Sequence, residues 1–262
     1  MINSYFNVLV DDSINIKEHG LSIYIKVGDY QLLFDTGQTD CYLVELKKIG
    51  LDKSDLDAVI ISHGHYDHIN GLLYLDIEKP VYLHQDAIKP KYKKEGIKYR
   101  YNGVNEAILK FHKDNFIFVD YFHEIFENIY VLGRIETKKY NPNFTLEKNK
   151  NIIDDFHDEI ILIINQDDGL SIFMGCSHFG ATNGLLAVKR KFPDKHIKNV
   201  IAGMHLKESD EKTISKIIND FHELEIEYVY PLHCTGALAT NLFKSSFKER
   251  CIVINSSNKI KL

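Results

Sequence analysis

The chain has no apolar run approaching the roughly 20 residues that span a bilayer. Its first residues, Met1-Ile2-Asn3-Ser4, show no basic segment leading into an apolar one. The expectation from these absences is a cytoplasmic protein with no membrane association. Cysteine is scarce: the four, Cys41, Cys176, Cys234 and Cys251, are widely spaced and none forms a C-x-x-C pair. Neither a disulfide framework nor a zinc ribbon is written here. A surplus of positive charge is also lacking. Lys and Arg number 32 against 37 Asp and Glu, a formal net charge of −5, which argues against nucleic acid as a partner. No linker divides the chain. What is present, 44% hydrophobic and 26% charged residues over 262 positions, suits one large α/β domain with a buried core.

Hydrophobic patterning supplies the elements. Ser4–Asp11 reads as a strand, and Leu21–Val27 with Tyr30–Phe34 as a hairpin around Gly28-Asp29. The spacing of Leu43, Leu46 and Ile49 predicts a helix over 39–49 that stops at Gly50. Strands are predicted at 58–61, 80–83, 116–120 and 129–132, then a hairpin of 159–165 with 170–174 around Asp167-Asp168-Gly169. Helices at 185–192, 210–224 and 237–248 alternate with strands at 198–202, 227–230 and 251–255. Hairpins in both halves with interleaved helices predict two sheets packed face to face and covered by helices, a four-layer αββα sandwich in a single domain spanning 1–262. Residues 85–115 are the exception. They are polar, carry Lys89, Lys91, Lys93, Lys94, Lys98 and Arg100, and show few strand signals, so they read as an inserted basic loop or lid.

Directly after the apolar strand at 58–61 stands Ser62-His63-Gly64-His65-Tyr66-Asp67-His68. Core packing does not explain three imidazoles and a carboxylate at a strand mouth, because buried unpaired groups of this kind cost several kcal/mol. Metal ligation does. Alternate residues of an extended loop point the same way, so His63 and His65 grip one ion while Asp67 and His68, at the turn into the next helix, grip a second. The mixed nitrogen and oxygen donors suit zinc best, with iron or manganese tolerated. The expected cofactor is a pair of divalent metal ions.

This H-x-H-x-D-H run, preceded by Leu33-Phe34-Asp35-Thr36-Gly37, resembles the metallo-β-lactamase superfamily, and the resemblance covers nearly the whole chain. It implies further ligands at strand ends in the second half. Three candidates stand there: Gly175-Cys176-Ser177-His178, Gly203-Met204-His205-Leu206 and Pro231-Leu232-His233-Cys234-Thr235-Gly236. By resemblance His233 is the final histidine ligand, and His178 completes the first ion's shell. Cys176 falls where many relatives carry an acidic bridging ligand; a thiolate would serve zinc, but a small buried core residue is the favoured expectation. His205 and His84 are placed at the substrate or next to the ligands, and Asp35 resembles the buried acid that orients a ligand histidine. His19, His112, His123, His157, His196 and His222 fall outside the strand-end pattern and read as surface or packing residues.

The combination D-T-G, S-H-G-H-x-D-H, G-C-S-H, G-x-H-L and L-H-C-T-G is similar to the subfamily of 7,8-dihydropterin-6-methyl-4-(β-D-ribofuranosyl)aminobenzene-5′-phosphate synthases. Those relatives carry a Gly-Glu-Ile-Pro-Arg-like segment where this chain has Gly133-Arg134-Ile135-Glu136-Thr137. The superfamily resemblance implies a hydrolase in which a hydroxide activated between two ions attacks a small phosphate-bearing or other anionic ester, lactone or phosphodiester. Asp67 would orient that hydroxide while serving as a ligand, and His205 or the basic insertion would bind the anion. The subfamily implies an alternative, transfer chemistry on a ribofuranosyl aminobenzene phosphate. A non-catalytic metal-binding protein is the second alternative, and a homodimer is left open.

Overall fold

A computed structural model describes residues 4–12, 18–76, 78–136, 144–146 and 152–262; Met1–Asn3 and Thr137, which entered the sequence reading, lie outside them. The first half runs β1 (Ser4–Asp11), β2 (Leu21–Val27), β3 (Tyr30–Phe34), α1 (Cys41–Lys48), β4 (Ala58–Ile60), α2 (Tyr66–Ile69), β5 (Val81–Leu83), β6 (Tyr92–Glu95), β7 (Lys98–Tyr101), α3 (Glu106–His112) and β8 (Phe116–Phe118). The second runs β9 (Phe122–Phe126), β10 (Ile129–Leu132), β11 (Phe144–Thr145), β12 (Ile161–Gln166), β13 (Gly169–Met174), α4 (Ala181–Lys191), β14 (Ile197–Gly203), α5 (Glu211–Glu223), β15 (Tyr228–Leu232), α6 (Ala237–Phe247) and β16 (Ile260–Lys261).

Two large sheets form, ordered β16-β1-β2-β3-β4-β5-β8 and β15-β14-β13-β12-β10-β9. Alternation along buried strands builds the layers. Leu32, Phe34 and Ile60 face the core between the sheets, while their neighbours Leu33, Val59 and Ile61 face out toward Tyr42, Leu46 and Ile108 on the helix side. In β12, Leu162 and Ile164 point inward, and Ile161 and Ile163 pack with Leu185, Phe221 and Phe243 of α4, α5 and α6. Phe6 links the sheets, edge-on to Phe173 at 5.7 Å and to Tyr230 at 5.5 Å. The expected four-layer αββα arrangement is the one observed.

The strands β3, β4, β5 and β8 run parallel to one another, as do β13, β14 and β15. Parallel strands end on the same rim, so the loops after β3, β4, β13, β14 and β15 can converge. That topology positions the site.

Three expectations need correction. The basic stretch at 85–115 is not an irregular loop. It contains the antiparallel hairpin β6–β7, extended by β11 through Phe144↔Lys93 and Thr145↔Tyr92, and the helix α3. The expected final strand at 251–255 makes only a single bridge, Cys251 to Val229, and the chain instead closes with β16 on β1; its apolar side chains pack into the cores without a ladder. The helix expected at 185–192 starts earlier, at Ala181, and β9 is a strand the sequence reading did not place.

Candidate metal centre

Every sequence-predicted site residue stands on the rim where the parallel strands end, His84 after β5 and to one side of the cluster. Asp35 follows β3; His63 follows β4, and His65 leads into α2, which carries Asp67 and His68. Cys176 and His178 follow β13, His205 follows β14 and His233 follows β15. The backbone turns sharply there: Asp35, Ser177, His205 and His233 have φ of 57°, 55°, 48° and 46°. Such left-handed conformations cost non-glycine residues on the order of 1–3 kcal/mol each and concentrate where a site holds its groups in place.

Two overlapping ligand sets result. In the first, His63, His65 and His178 each offer a ring nitrogen, all within 4.8 Å of one another. In the second, His63, His68 and Cys176 do the same, with Cys176 Sγ 3.2 Å from His68 Nε2. Asp67 Oδ2 lies 3.9 Å from His68 Nε2 and 3.5 Å from His233 Nε2. Cys176 therefore sits inside the cluster rather than in the apolar core to which its sequence reading consigned it. His205 is exposed, its ring 4.5 Å from that of His178. His84 is engaged elsewhere, with Nε2 3.0 Å from Asp120 and Nδ1 accepting from the Asp86 N–H at 3.1 Å.

The residues fit a metal on one further observation. The Nε2 atoms of His65 and His178 are buried with no hydrogen-bond partner. Most buried polar atoms in folded proteins are paired, and a neutral imidazole nitrogen turned toward other imidazoles is suited to ligate an ion.

Neighbours hold the ligands in register. Asp35, fully buried, stands 2.7 Å from His68 Nδ1 and accepts from both the N–H and the hydroxyl of Ser62, each at 2.7 Å. The same hydroxyl is 2.9 Å from His63 Nδ1. His233 Nδ1 is 2.9 Å from Asp12 Oδ1, and its N–H donates to Asp11 Oδ1 at 2.8 Å. These contacts occupy one ring nitrogen and leave the other to face the centre. The Gly64 N–H donates to Asp158 at 2.7 Å. Gly64 must lack a side chain, since a Cβ there would lie 1.9 Å from the Ala87 carbonyl oxygen.

Electrostatics follow from burial. Loss of water, reinforced by neighbouring histidines, holds His63, His65 and His178 well below the ordinary imidazole range, so they stay neutral and ready to ligate. Burial would raise Asp67, but His68, His19 and His233 outweigh it and keep the carboxyl well below its usual range. Burial likewise opposes protonation of His233, yet Asp12 and Asp67 push it well above its usual value.

His19, set aside by the sequence reading, belongs to this rim. Its Nε2 is 3.0 Å from Asp67 Oδ2 and its Nδ1 2.7 Å from Asp12 Oδ2, contacts that push it up to about 9. No local pattern marks it, because its partner lies 48 residues away in sequence. An apolar wall flanks the first ligand set: Phe156 stacks on His178 with centroids 4.0 Å apart, and Phe144 on His65 at 5.2 Å. Over that wall lies the β6–β7 hairpin, with Lys93 5.7 Å from the Phe144 ring and Arg100 5.3 Å from the Tyr66 ring. A cleft of about 1200 Å³ opens at the opposite rim beside Asp29, Asn128 and Asp168 and includes none of these residues.

Comparison with known proteins gives the family and the fold. The family model of the metallo-beta-lactamase superfamily matches residues 17–159. An uncharacterized protein of Methanocaldococcus jannaschii is 30% identical over 242 residues, 87% of this chain and 90% of that one. The 7,8-dihydropterin-6-methyl-4-(beta-D-ribofuranosyl)-aminobenzene-5'-phosphate synthase of the same organism is 29% identical over 89% of this chain and 86% of its own. Among solved structures, Tm1679, described as a metal-dependent hydrolase of the beta-lactamase superfamily, superposes with a TM-score of 0.86 at 36% identity over 99% of both chains. A diphosphatase of the PhnP family shares the fold, with a TM-score of 0.59 at 13% identity over 100% of this chain and 98% of that one.

Proposed function

The chain belongs to the metallo-beta-lactamase superfamily, and on that premise we propose that it is a metal-dependent hydrolase of a small anionic ester, lactone or phosphodiester. The observation that carries the reading is the convergence of His63, His65 and His178 with two orphaned buried nitrogens, beside Asp67, His68 and His233. The first three would hold one divalent ion and the second three another. Zinc suits these donors best, with iron or manganese tolerated. Bound there, the ions would act as Lewis acids toward a carbonyl or phosphoryl oxygen and supply a nucleophilic water near neutral pH.

The chain's own groups do the rest. Asp67, ionised and shared between His19 and His233, aims a carboxylate oxygen at the centre, where it orients the attacking group. Phe144 and Phe156 exclude water from one side, which strengthens the polar interactions inside. Lys93 and Arg100 stand at the mouth and bind the substrate's negative group. His205, exposed at the same edge, contacts the substrate from the other strand end.

The test begins with elemental analysis of protein purified without added metal, alongside His63→Ala and Asp67→Ala. The expected result is about two ions per chain, falling in both variants, with turnover of phosphoesters or lactones by the loaded wild type. Metal bound without turnover on esters, lactones, thioesters or phosphodiesters would leave a non-catalytic metal-binding protein. Full activity of Asp67→Ala at full metal loading would remove Asp67 from the mechanism. The synthase relative supports a second reading, transfer to a ribofuranosyl aminobenzene phosphate acceptor. Product analysis separates the two: hydrolysis incorporates solvent oxygen, whereas transfer joins two substrates.

A further inference from the structure

Cys176 and Cys234 follow β13 and β15, which are not neighbours, because β14 runs between them. Their sulfurs nevertheless approach one another, and the reason is Gly203 at the end of β14. A Cβ on Gly203 would stand 3.1 Å from Cys234 Sγ and 2.2 Å from the Gly175 carbonyl oxygen. With no side chain in the way, Cys234 Sγ reaches over the strand end, accepting the His205 N–H at 3.2 Å and lying 3.8 Å from the Cys176 carbonyl oxygen.

Three ligand atoms are thereby gathered: Cys176 Sγ, Cys234 Sγ and a ring nitrogen of His233 lie within 4.8 Å of one another. Cys176 Sγ also stands 3.2 Å from His68 Nε2. The hydrolytic reading uses neither sulfur. Both cysteines are free thiols, and a disulfide between them would require the sulfurs at about 2.05 Å. An ion needs less. With zinc–sulfur bonds of about 2.3 Å, two thiolates of one tetrahedral site sit about 3.8 Å apart.

We propose that Cys176 and Cys234 both bind, as thiolates, the ion held at His233, giving that position a two-sulfur character that favours zinc or ferrous iron over manganese. Soft thiolate donors select such ions, whereas manganese prefers carboxylate and carbonyl oxygen. The inference rests on the metal-centre reading above, and its test separates the two.

The full chain is loaded with cobalt(II) under reducing conditions and examined for near-ultraviolet thiolate-to-cobalt charge transfer; the zinc-loaded wild type is examined by X-ray absorption at the zinc edge. The band is expected to fall by about half in Cys176→Ser and in Cys234→Ser, to vanish in the double variant and to persist in Cys41→Ser and Cys251→Ser. X-ray absorption, which needs no variant, is expected to show sulfur at about 2.3 Å from zinc. Cobalt bound without the band, or the full band surviving in Cys234→Ser, would overturn the two-sulfur site while leaving the metal centre intact. Failure to bind any metal would overturn both.

Discussion

Asp35 reaches the centre only through other residues. Its carboxylate is fully enclosed, one oxygen on the Ser62 N–H and the other on the Ser62 hydroxyl and His68 Nδ1. Replacing it by asparagine keeps the volume but presents an amide N–H to a ring nitrogen that must itself donate. The expected result for Asp35→Asn is a 10–100-fold loss of metal affinity, the usual effect of removing a carboxylate behind a ligand histidine. Competition with a calibrated chelator measures it, and unchanged affinity would refute the positioning role. The run from His63 to His68 was legible because it is dense: several costly polar groups at one strand mouth permit few explanations, whereas Asp35 was placed only by the family resemblance. His19 and Cys234 were not read as part of the site, since their roles arise from contacts with distant residues that leave no period or spacing. The sulfur of Cys176 shows a related limit, because a small buried residue and a buried ligand look alike until the neighbouring strand is in place.

At the scale of elements, the basic insertion was the least legible part of the fold. A hairpin whose strands are Lys-rich and mostly exposed shows no apolar alternation, so β6 and β7 looked like loop. Nor do its cations share one environment. Lys91, grouped in sequence with solvated lysines, is only 1% exposed and clamped between Asp154 at 2.8 Å and Asp158 at 2.9 Å. Since Asp158 also receives the Gly64 N–H, this buried pairing ties the hairpin to the metal loop. Lys91→Met leaves two buried carboxylates without their cation, an expected loss of about 3–5 kcal/mol, measurable by urea unfolding. Its pH dependence has a definite sign. Burial already raises Asp154 despite Lys91, and without the ammonium that carboxyl titrates higher still in the folded state. A folded state that holds protons the unfolded chain releases loses stability as pH rises above the unfolded value of about 3.9. The variant is therefore most impaired near neutrality and recovers toward acid; a deficit independent of pH would contradict the pairing. Arg100, its Nε donating to Glu95 at 3.0 Å, belongs on the proposed reading to the mouth instead. Arg100→Ala is expected to raise KM for a phosphate-bearing substrate about tenfold while leaving kcat and neutral esters unaffected, the pattern of lost uniform binding.

Across the whole molecule the layers were legible because each buried strand sends alternate residues to two different cores, as Leu32 and Leu33 do. The convergence of loops from both sheets on one rim followed only once strand order was known. It has a mechanical consequence: the candidate ligands come as His63, His65, Asp67 and His68 from the β4 side and as Cys176, His178 and His233 from the β13–β15 side, so ions bound as proposed would staple one sheet edge to the other. An ion present at about 100 times its dissociation constant stabilises the folded state by about 2.7 kcal/mol. For a chain of this size that corresponds to roughly 5–10 °C in Tm. Removing metal with a chelator is expected to lower Tm by that amount without unfolding the protein, because the apolar core between the sheets, with Phe6, Phe173 and Tyr230, is independent of the rim. His65→Ala and His178→Ala should begin near the chelated value and respond little to chelator. Hydrogen exchange should quicken at 62–68, 175–178 and 232–236 and stay unchanged at the Gly28-Asp29 and Asp167-Asp168 turns on the far rim. If metal departs and neither Tm nor exchange on the β13–β15 side changes, the ions are held by the β4 loop alone and the two sheets are not coupled through them.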